Sequence, residues 1–244
     1  MVDPEAQQAV NAFIDLAVEK QKKTFHSDLE SFDSFSSKLR SEMEKYLHTF
    51  HAQFYGGYEV LVATLDKEMQ KTDTPSYRIR KEAWQLLQEP DVLFERFQEG
   101  KTLQEILGLS FETVLKFYEA ACALFEAKRM HEARNALFFL TTISPQIPEF
   151  WCAKSSAHLE LNEFEEAIDT AEEAYALIPE KADALFSLIR AYIKMGDFDK
   201  ALLVCDQGLG KAKEYPHLAW AKTLENNLQA AKQYIEQEKE VYYG

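Results

Sequence analysis

Glycine, proline and cysteine are all scarce in this 244-residue chain, at 8, 7 and 3 residues. So few glycines leave little from which to build phosphate-cradling loops, and GxGxxG, Walker-type and GxSxG patterns are absent. The three cysteines, Cys122, Cys152 and Cys205, have no CxxC spacing. They make no disulfide framework and read as small, mostly buried apolar residues in a reducing cytosol. No apolar run approaches the ~20 residues that span a bilayer; Ala136 to Leu140 is typical. Positive charge is in deficit too, with 27 basic against 41 acidic side chains and a net charge of −14. Both halves share the excess of acid. Such a surface repels phosphate backbones and anionic lipid, which argues against nucleic acid and lipid surfaces as partners, and the short apolar runs argue against membrane insertion. Met1 to Glu5 shows no basic segment leading into an apolar stretch, so the expectation is no secretory signal and a cytoplasmic protein.

Catalytic constellations are equally scarce. His48 and His51 lie one helical turn apart with Glu44 a turn earlier, but no third strong ligand or HExxH arrangement joins them, so no metal is expected. Cys152 and His158 sit six residues apart on a helix and point in different directions, which makes no thiol–imidazole pair. The acidic run Glu163, Glu165, Glu166, Asp169, Glu172 and Glu173 reads as a solvated helix face. No cofactor and no enzymatic activity are expected.

What the chain does have is a period. Hydrophobic residues make up 46% of it, enough for a core. Ala133, Ala167 and Ala201 stand 34 residues apart, each just after a polar or helix-breaking turn: Ala127–Met130, Leu161–Phe164 and Met195–Phe198. Pro145 and Pro179 follow the first two alanines at the same distance, and Phe117, Trp151 and Leu185 recur at the start of each first helix. This is the tetratricopeptide pattern, in which a small side chain lets the two helices of a hairpin cross closely. The fold expected is all-α: a tetratricopeptide-repeat (TPR) solenoid of three repeats, with a C-terminal capping helix and an extended N-terminal helical region. Its parts would be residues 1–99, 100–213 and 214–244.

Outside the repeats the pattern is also helical. Asp3-Pro4-Glu5 starts a helix with an apolar stripe of Val10, Phe13, Ile14, Ala17 and Val18. A second helix runs from near Ser31 through Phe35, Leu39, Met43, Leu47, Phe50 and Phe54, with Gly56-Gly57 expected to kink or interrupt it. Thr72 to Ser76 reads as a loop, Tyr77 to Gln88 as a helix stopped by Pro90, and a short helix follows to Phe97. Pro216 to Tyr242 reads as one long helix that covers the last repeat.

In a stack of this kind the first helix of each repeat lines the concave side. Spacings of four then three keep side chains on one face. They select Tyr118, Cys122 and Phe125 in the first repeat, Cys152, Ser156 and Leu159 in the second, and Phe186, Arg190 and Ile193 in the third. That face is mostly apolar and suits an extended peptide with apolar anchors. An acidic peptide tail would need convergent cations, and only Arg190 qualifies.

One stretch goes beyond the generic repeat. Gly100-Lys101-Thr102-Leu103 and a short helix to Ser110 lead into Leu115-Lys116-Phe117-Tyr118, then Glu126 to Ala133. From about residue 90 to 213 the chain resembles the class II chaperones of bacterial type III secretion. These begin their three repeats with a Gly-x-Thr-Leu turn, a short helix and a first helix containing Leu and Tyr, and they are small, acidic and cytoplasmic. The resemblance implies a chaperone for a hydrophobic secreted cargo, such as a translocator, held before export as an extended Pro-x-Leu-x-x-Pro type segment in the groove. Tyr118 and Phe125 match the family's aromatic groove positions, while Cys122 stands where a larger apolar residue is common. Residues 1–90 exceed the family's usual N-terminal helix. They could form a homodimer, cover the groove or bind a second partner. The alternative function is a TPR scaffold in a stable multiprotein complex.

Overall fold

The computed structural model describes Val18 and residues 31–68, 77–87, 89–178, 182–214 and 219–243. The chain is all-α, with eleven helices and no strand among the described residues. The expected helix from Asp3 and the loop Thr72–Ser76 lie outside them. Two compact units divide the chain, Met1–Phe117 and Tyr118–Gly244.

In the first unit, α1 (Phe32–Glu68) is a single helix of 37 residues, and Gly56-Gly57 does not interrupt it. Each interior glycine costs about 1 kcal/mol. The apolar stripe nevertheless stays in phase across the pair: Phe54, Leu61, Val62 and Leu65 are all buried. Burying a large apolar side chain contributes roughly 1.5–3 kcal/mol, so four of them outweigh two glycines. The helix expected over Tyr77–Gln88 is cut to α2 (Lys81–Leu86). Tertiary bonds to α1 hold Tyr77 to Arg80 out of the helix. The Tyr77 hydroxyl and the Arg78 guanidinium both donate to Asp66, the latter at 2.6 Å. The Ile79 N–H donates to the Tyr58 hydroxyl at 2.8 Å. Trp84 then sits against Tyr55 and Tyr58, with ring centroids 4.9 and 5.0 Å away.

Pro90 stops one helix and starts another, standing in the first turn of α3 (Pro90–Gln98), where a missing N–H costs nothing. The chain leaves α3 through Gly100, at φ +78°, and the Lys101 N–H returns to the Arg96 carbonyl at 3.1 Å. Thr102 next caps α4 (Leu103–Ile106) in a reciprocal capping box with Glu105. The Gly-Lys-Thr-Leu motif therefore has a mechanical meaning: glycine takes the left-handed stop, and threonine supplies the next helix with its first side-chain acceptor. α5 (Phe111–Glu126) follows, its first turn held by Ser110 Oγ accepting the Thr113 N–H at 3.1 Å.

The second unit continues with α6 (Met130–Ile143), α7 (Pro148–Glu160), α8 (Phe164–Leu177), α9 (Ala182–Met195), α10 (Phe198–Glu214) and α11 (Ala219–Tyr243). They stack in chain order: α6 on α7, α7 on α8 and α9, α9 on α8 and α10, and α10 on α11. Ala133, Ala167 and Ala201 are each 0% exposed. Ser155, also buried, donates to the Ala167 carbonyl at 2.8 Å and ties α7 to α8 at their crossing. The turns repeat as strictly as the alanines. Lys128, Asn162 and Gly196 have φ of 60°, 60° and 77°. After each, the next N–H returns to a carbonyl one turn back in the preceding helix: Arg129 to Leu124, Glu163 to His158 and Asp197 to Tyr192.

α11 covers the last hairpin with Leu224, Leu228 and Ile235, all buried. It approaches closely because position 208 is glycine: a Cβ there would stand 2.6 Å from Leu228 Cδ1 and 3.0 Å from Leu185 Cδ1. Lys232 to Asp206 at 2.7 Å and Lys239 to Asp199 at 2.5 Å join the exposed edges of α11 and α10.

Two stability predictions follow from the crossing and the turn. Ala167→Leu overpacks the α7–α8 crossing and destabilises by roughly 1–3 kcal/mol in chemical denaturation. Lys128 holds a left-handed conformation that costs an ordinary side chain about 1 kcal/mol, so Lys128→Gly raises stability by about 0.5–1 kcal/mol and Gly196→Lys lowers it by about 1.

Candidate functional site

Between α5 and α7 the second unit opens a cavity of about 250 Å³. Ala121, Cys122, Phe125 and Glu126 line it from α5, Leu137 from α6, and Ala153 and Ser156 from α7. Its existence depends on small side chains: Ala121 and Ala153 leave the space that larger residues would fill. The Ser156 hydroxyl is spent on the Cys152 carbonyl of its own helix, at 3.1 Å. The walls are therefore apolar apart from the Glu126 carboxylate.

Three of the nine residues marked by spacing, Cys122, Phe125 and Ser156, meet at this cavity. Tyr118 stands one turn before Cys122, half-buried, its ring 5.0 Å from that of Phe150. Burial holds its phenol well above the ordinary range, and the neighbouring Cys122 thiol adds to this. Cys152 is half-buried and is not among the cavity's walls. Cys122 and Cys152 are thus less enclosed than a core reading of the cysteines expects; Cys205 alone is fully buried. Leu159 belongs to the core rather than the groove: it is 4% exposed and packs with Ala167 and Ala191. In the third repeat Arg190 is exposed, while Phe186 and Ile193 are half-buried and lie against the core of α9 to α11. These three do not join the cavity.

Spacing missed Ala121, Glu126, Leu137 and Ala153. On α7 the wall runs through Ala153 and Ser156: Ser156 lies on the row that spacing selected, while Ala153 stands one residue along from Cys152. The physical reason is visible in α7 itself, which carries apolar or small residues around its whole girth and is packed by α6, α8 and α9. A helix buried on several sides has no single stripe to orient it. The only signal available was the pair of alanines at 121 and 153.

Away from the cavity, a cluster of charge joins α6, α7 and α8. Arg134 reaches Glu163 at 2.5 Å, and His158 Nδ1 meets the other Glu163 oxygen at 2.7 Å. Burial pulls the His158 imidazole below its ordinary range, against the Glu163 hydrogen bond, which favours the charged form. Lys154 is the odd member. Its ammonium lies 4.9 Å from the Phe138 ring centroid and 5.2 Å from that of Trp151. Burial, with the Arg134 charge nearby, pulls it from 10.5 down to about 8, while Glu173 opposes the shift. Among the described residues no group of three or more His, Cys, Asp or Glu side chains could hold a metal ion. No described helix is long and apolar enough to cross a membrane.

The tetratricopeptide repeat family model matches residues 158–225. No curated protein matches the chain. Among solved structures, a chain of a T3SS complex from Aeromonas hydrophila is similar in fold. It has a TM-score of 0.52 and 17% identity, covering 62% of this chain and 98% of that one. A chain of the CopN–Scc3 complex has a TM-score of 0.48 at 15% identity over 53% of this chain and 75% of that one. PcrH in complex with the chaperone-binding region of PopD gives 0.48 and 15% over 54% and 97%. The chain is thus a TPR solenoid, a fold whose repeats build extended binding surfaces.

Lys154 gives a pH-dependent prediction. Its folded value lies below its unfolded one, so its contribution to stability is complete above about 10.5 and is lost as pH falls through about 8. At neutral pH the folded chain carries the full cost of a desolvated cation. Lys154→Met keeps the apolar stem, raises stability at pH 7 by about 2 kcal/mol after loss of the cation–π contacts, and flattens the rise that wild type shows between pH 8 and 10.5. Thermal melts across that range read both effects.

Proposed function

We propose that this chain is a cytoplasmic chaperone of the class II type III secretion kind. It holds an extended apolar segment of a secreted protein in its concave groove and keeps that protein from aggregating before export. The observation that carries the reading is the cavity between α5 and α7. It is apolar, opened by Ala121 and Ala153, and flanked by Phe125 and the half-buried Tyr118. This is the form of a pocket for a single large side chain of an extended peptide. The Gly100 to Ser110 lead-in, with its left-handed glycine and threonine cap, supports the same family. So does the fold shared with a chain of a T3SS complex. Residues 100–213 would carry the groove and residues 214–244 would cap it.

Residues 1–99 have a separate role in this proposal. Among the described side chains of α1, none before Phe54 is fully buried, although Phe35, Leu39, Met43 and Leu47 form an apolar row. Such a helix suits pairing with a second copy or with another protein. This row is what favours the second reading, a scaffold whose N-terminal helices hold a permanent partner.

The test is affinity purification of the full chain from its native cytosol, with partners identified by mass spectrometry, beside Phe125→Ala and Ala153→Phe. A hydrophobic secreted protein should come down with wild type. Its affinity should fall by about 2 kcal/mol in Phe125→Ala, and Ala153→Phe should lose it with helicity unchanged. A partner that is never secreted, kept by both variants and lost on removal of residues 1–99, would replace the chaperone with the scaffold.

A further inference from the structure

The mouth of the cavity carries charge that no ion pair among the described residues neutralises. Glu126 is part of the wall, and Glu119 lies two turns earlier on the same helix. Both carboxylates act on the Cys122 thiol that stands between them, adding to the rise that burial gives it. Among the described residues neither is in an ion pair. Acidic residues on neighbouring turns are treated differently: Glu132 is held by Arg129, and Glu163 by Arg134 and His158. Lys116, Arg129 and Arg134 are spent on Glu112, Glu132 and Glu163, so among the described residues no ion pair draws on Glu126 or Glu119.

The interior sets the other half of the requirement. An apolar cavity of roughly 150 Å³ already admits benzene. At about 250 Å³, with Ala121, Leu137 and Ala153 as walls, this one takes an aromatic or large branched side chain with room for it to turn. A guest that fills the space brings its flanking residues over Glu126 and Glu119. A lysine or arginine there gains two carboxylates beside a low-dielectric wall; an aspartate or glutamate meets like charge.

We propose that the segment bound in this groove presents one large apolar side chain to the cavity and a lysine or arginine within two or three residues of it, selected by Glu126 and Glu119. The inference rests on the groove reading above and adds a sign to it. The partner is then a basic apolar stretch of an extended peptide, not a neutral one.

The experiment is a selection of phage-displayed random peptides on the immobilised full chain, followed by binding assays with a recovered peptide. Recovered sequences should pair an aromatic or large aliphatic residue with a nearby Lys or Arg. Reversing that cation to Glu should weaken binding about tenfold at low salt, and Glu126→Lys should invert the preference; both effects should shrink at high salt. Glu126 is exposed, so its variant tests charge without disturbing the core. Apolar peptides with no basic preference, lost on Ala153→Phe, would overturn this inference and leave the groove reading standing. Peptides that bind Ala153→Phe as well as wild type, or no recovered peptides at all, would overturn both.

Discussion

Close approach of paired helices is the constraint on which the second unit depends. It requires a side chain no larger than a methyl at Ala133, Ala167 and Ala201, all without solvent exposure. It also requires a chain reversal short enough to keep the two helices in contact. The left-handed residues Lys128, Asn162 and Gly196 provide that reversal at the same step as the alanines. Where the second helix of a hairpin meets the next layer, the same logic recurs. Gly208 stands 34 residues after the buried Ala174 and lets α11 seat Leu228 against α10. Each repeat thus buries its neighbour's face, and a terminal helix must cover the last one.

The cavity is a consequence of that architecture rather than an addition to it. α5 and α7 bring their facing rows together, and the volume between them is set by the residues that fail to fill it. Polar chemistry was kept out of the space by local means, as when Ser156 turns its hydroxyl onto its own helix. Charge was placed instead at the rim and along the α6–α8 surface, where Arg134, His158 and Glu163 satisfy one another. Lys154 fits neither pattern. Its aromatic neighbours shelter an ammonium that would be better solvated, which leaves stability lower than an apolar residue would give.

Where sequence and structure differ, tertiary contacts won over local preference. Gly56-Gly57 signals a break by propensity, yet the buried row on either side holds one continuous helix. Tyr77 to Arg80 has a helical pattern, yet three bonds to Asp66 and Tyr58 are worth more than one added turn. Leu159 falls at groove spacing, yet it packs with Ala167 and Ala191 because α7 has neighbours on several sides. Among the marked residues on α5, Cys122 and Phe125 meet at the cavity and Tyr118 stands a turn away; α5 carries a polar row, Glu112, Glu119 and Glu126, that limits its rotation.

By itself the sequence determined the period, the helical hairpins, their small-residue crossings and the capping helix. These are properties of a unit of 34 residues and of short turns, which a linear pattern records directly. The tertiary structure alone decided which row of α7 faces α5, and hence where the cavity lies and that Glu126 stands at its mouth. Rotation of a helix about its axis is fixed by the sum of contacts with every element around it. When apolar residues surround the helix, its own sequence is nearly degenerate in that angle.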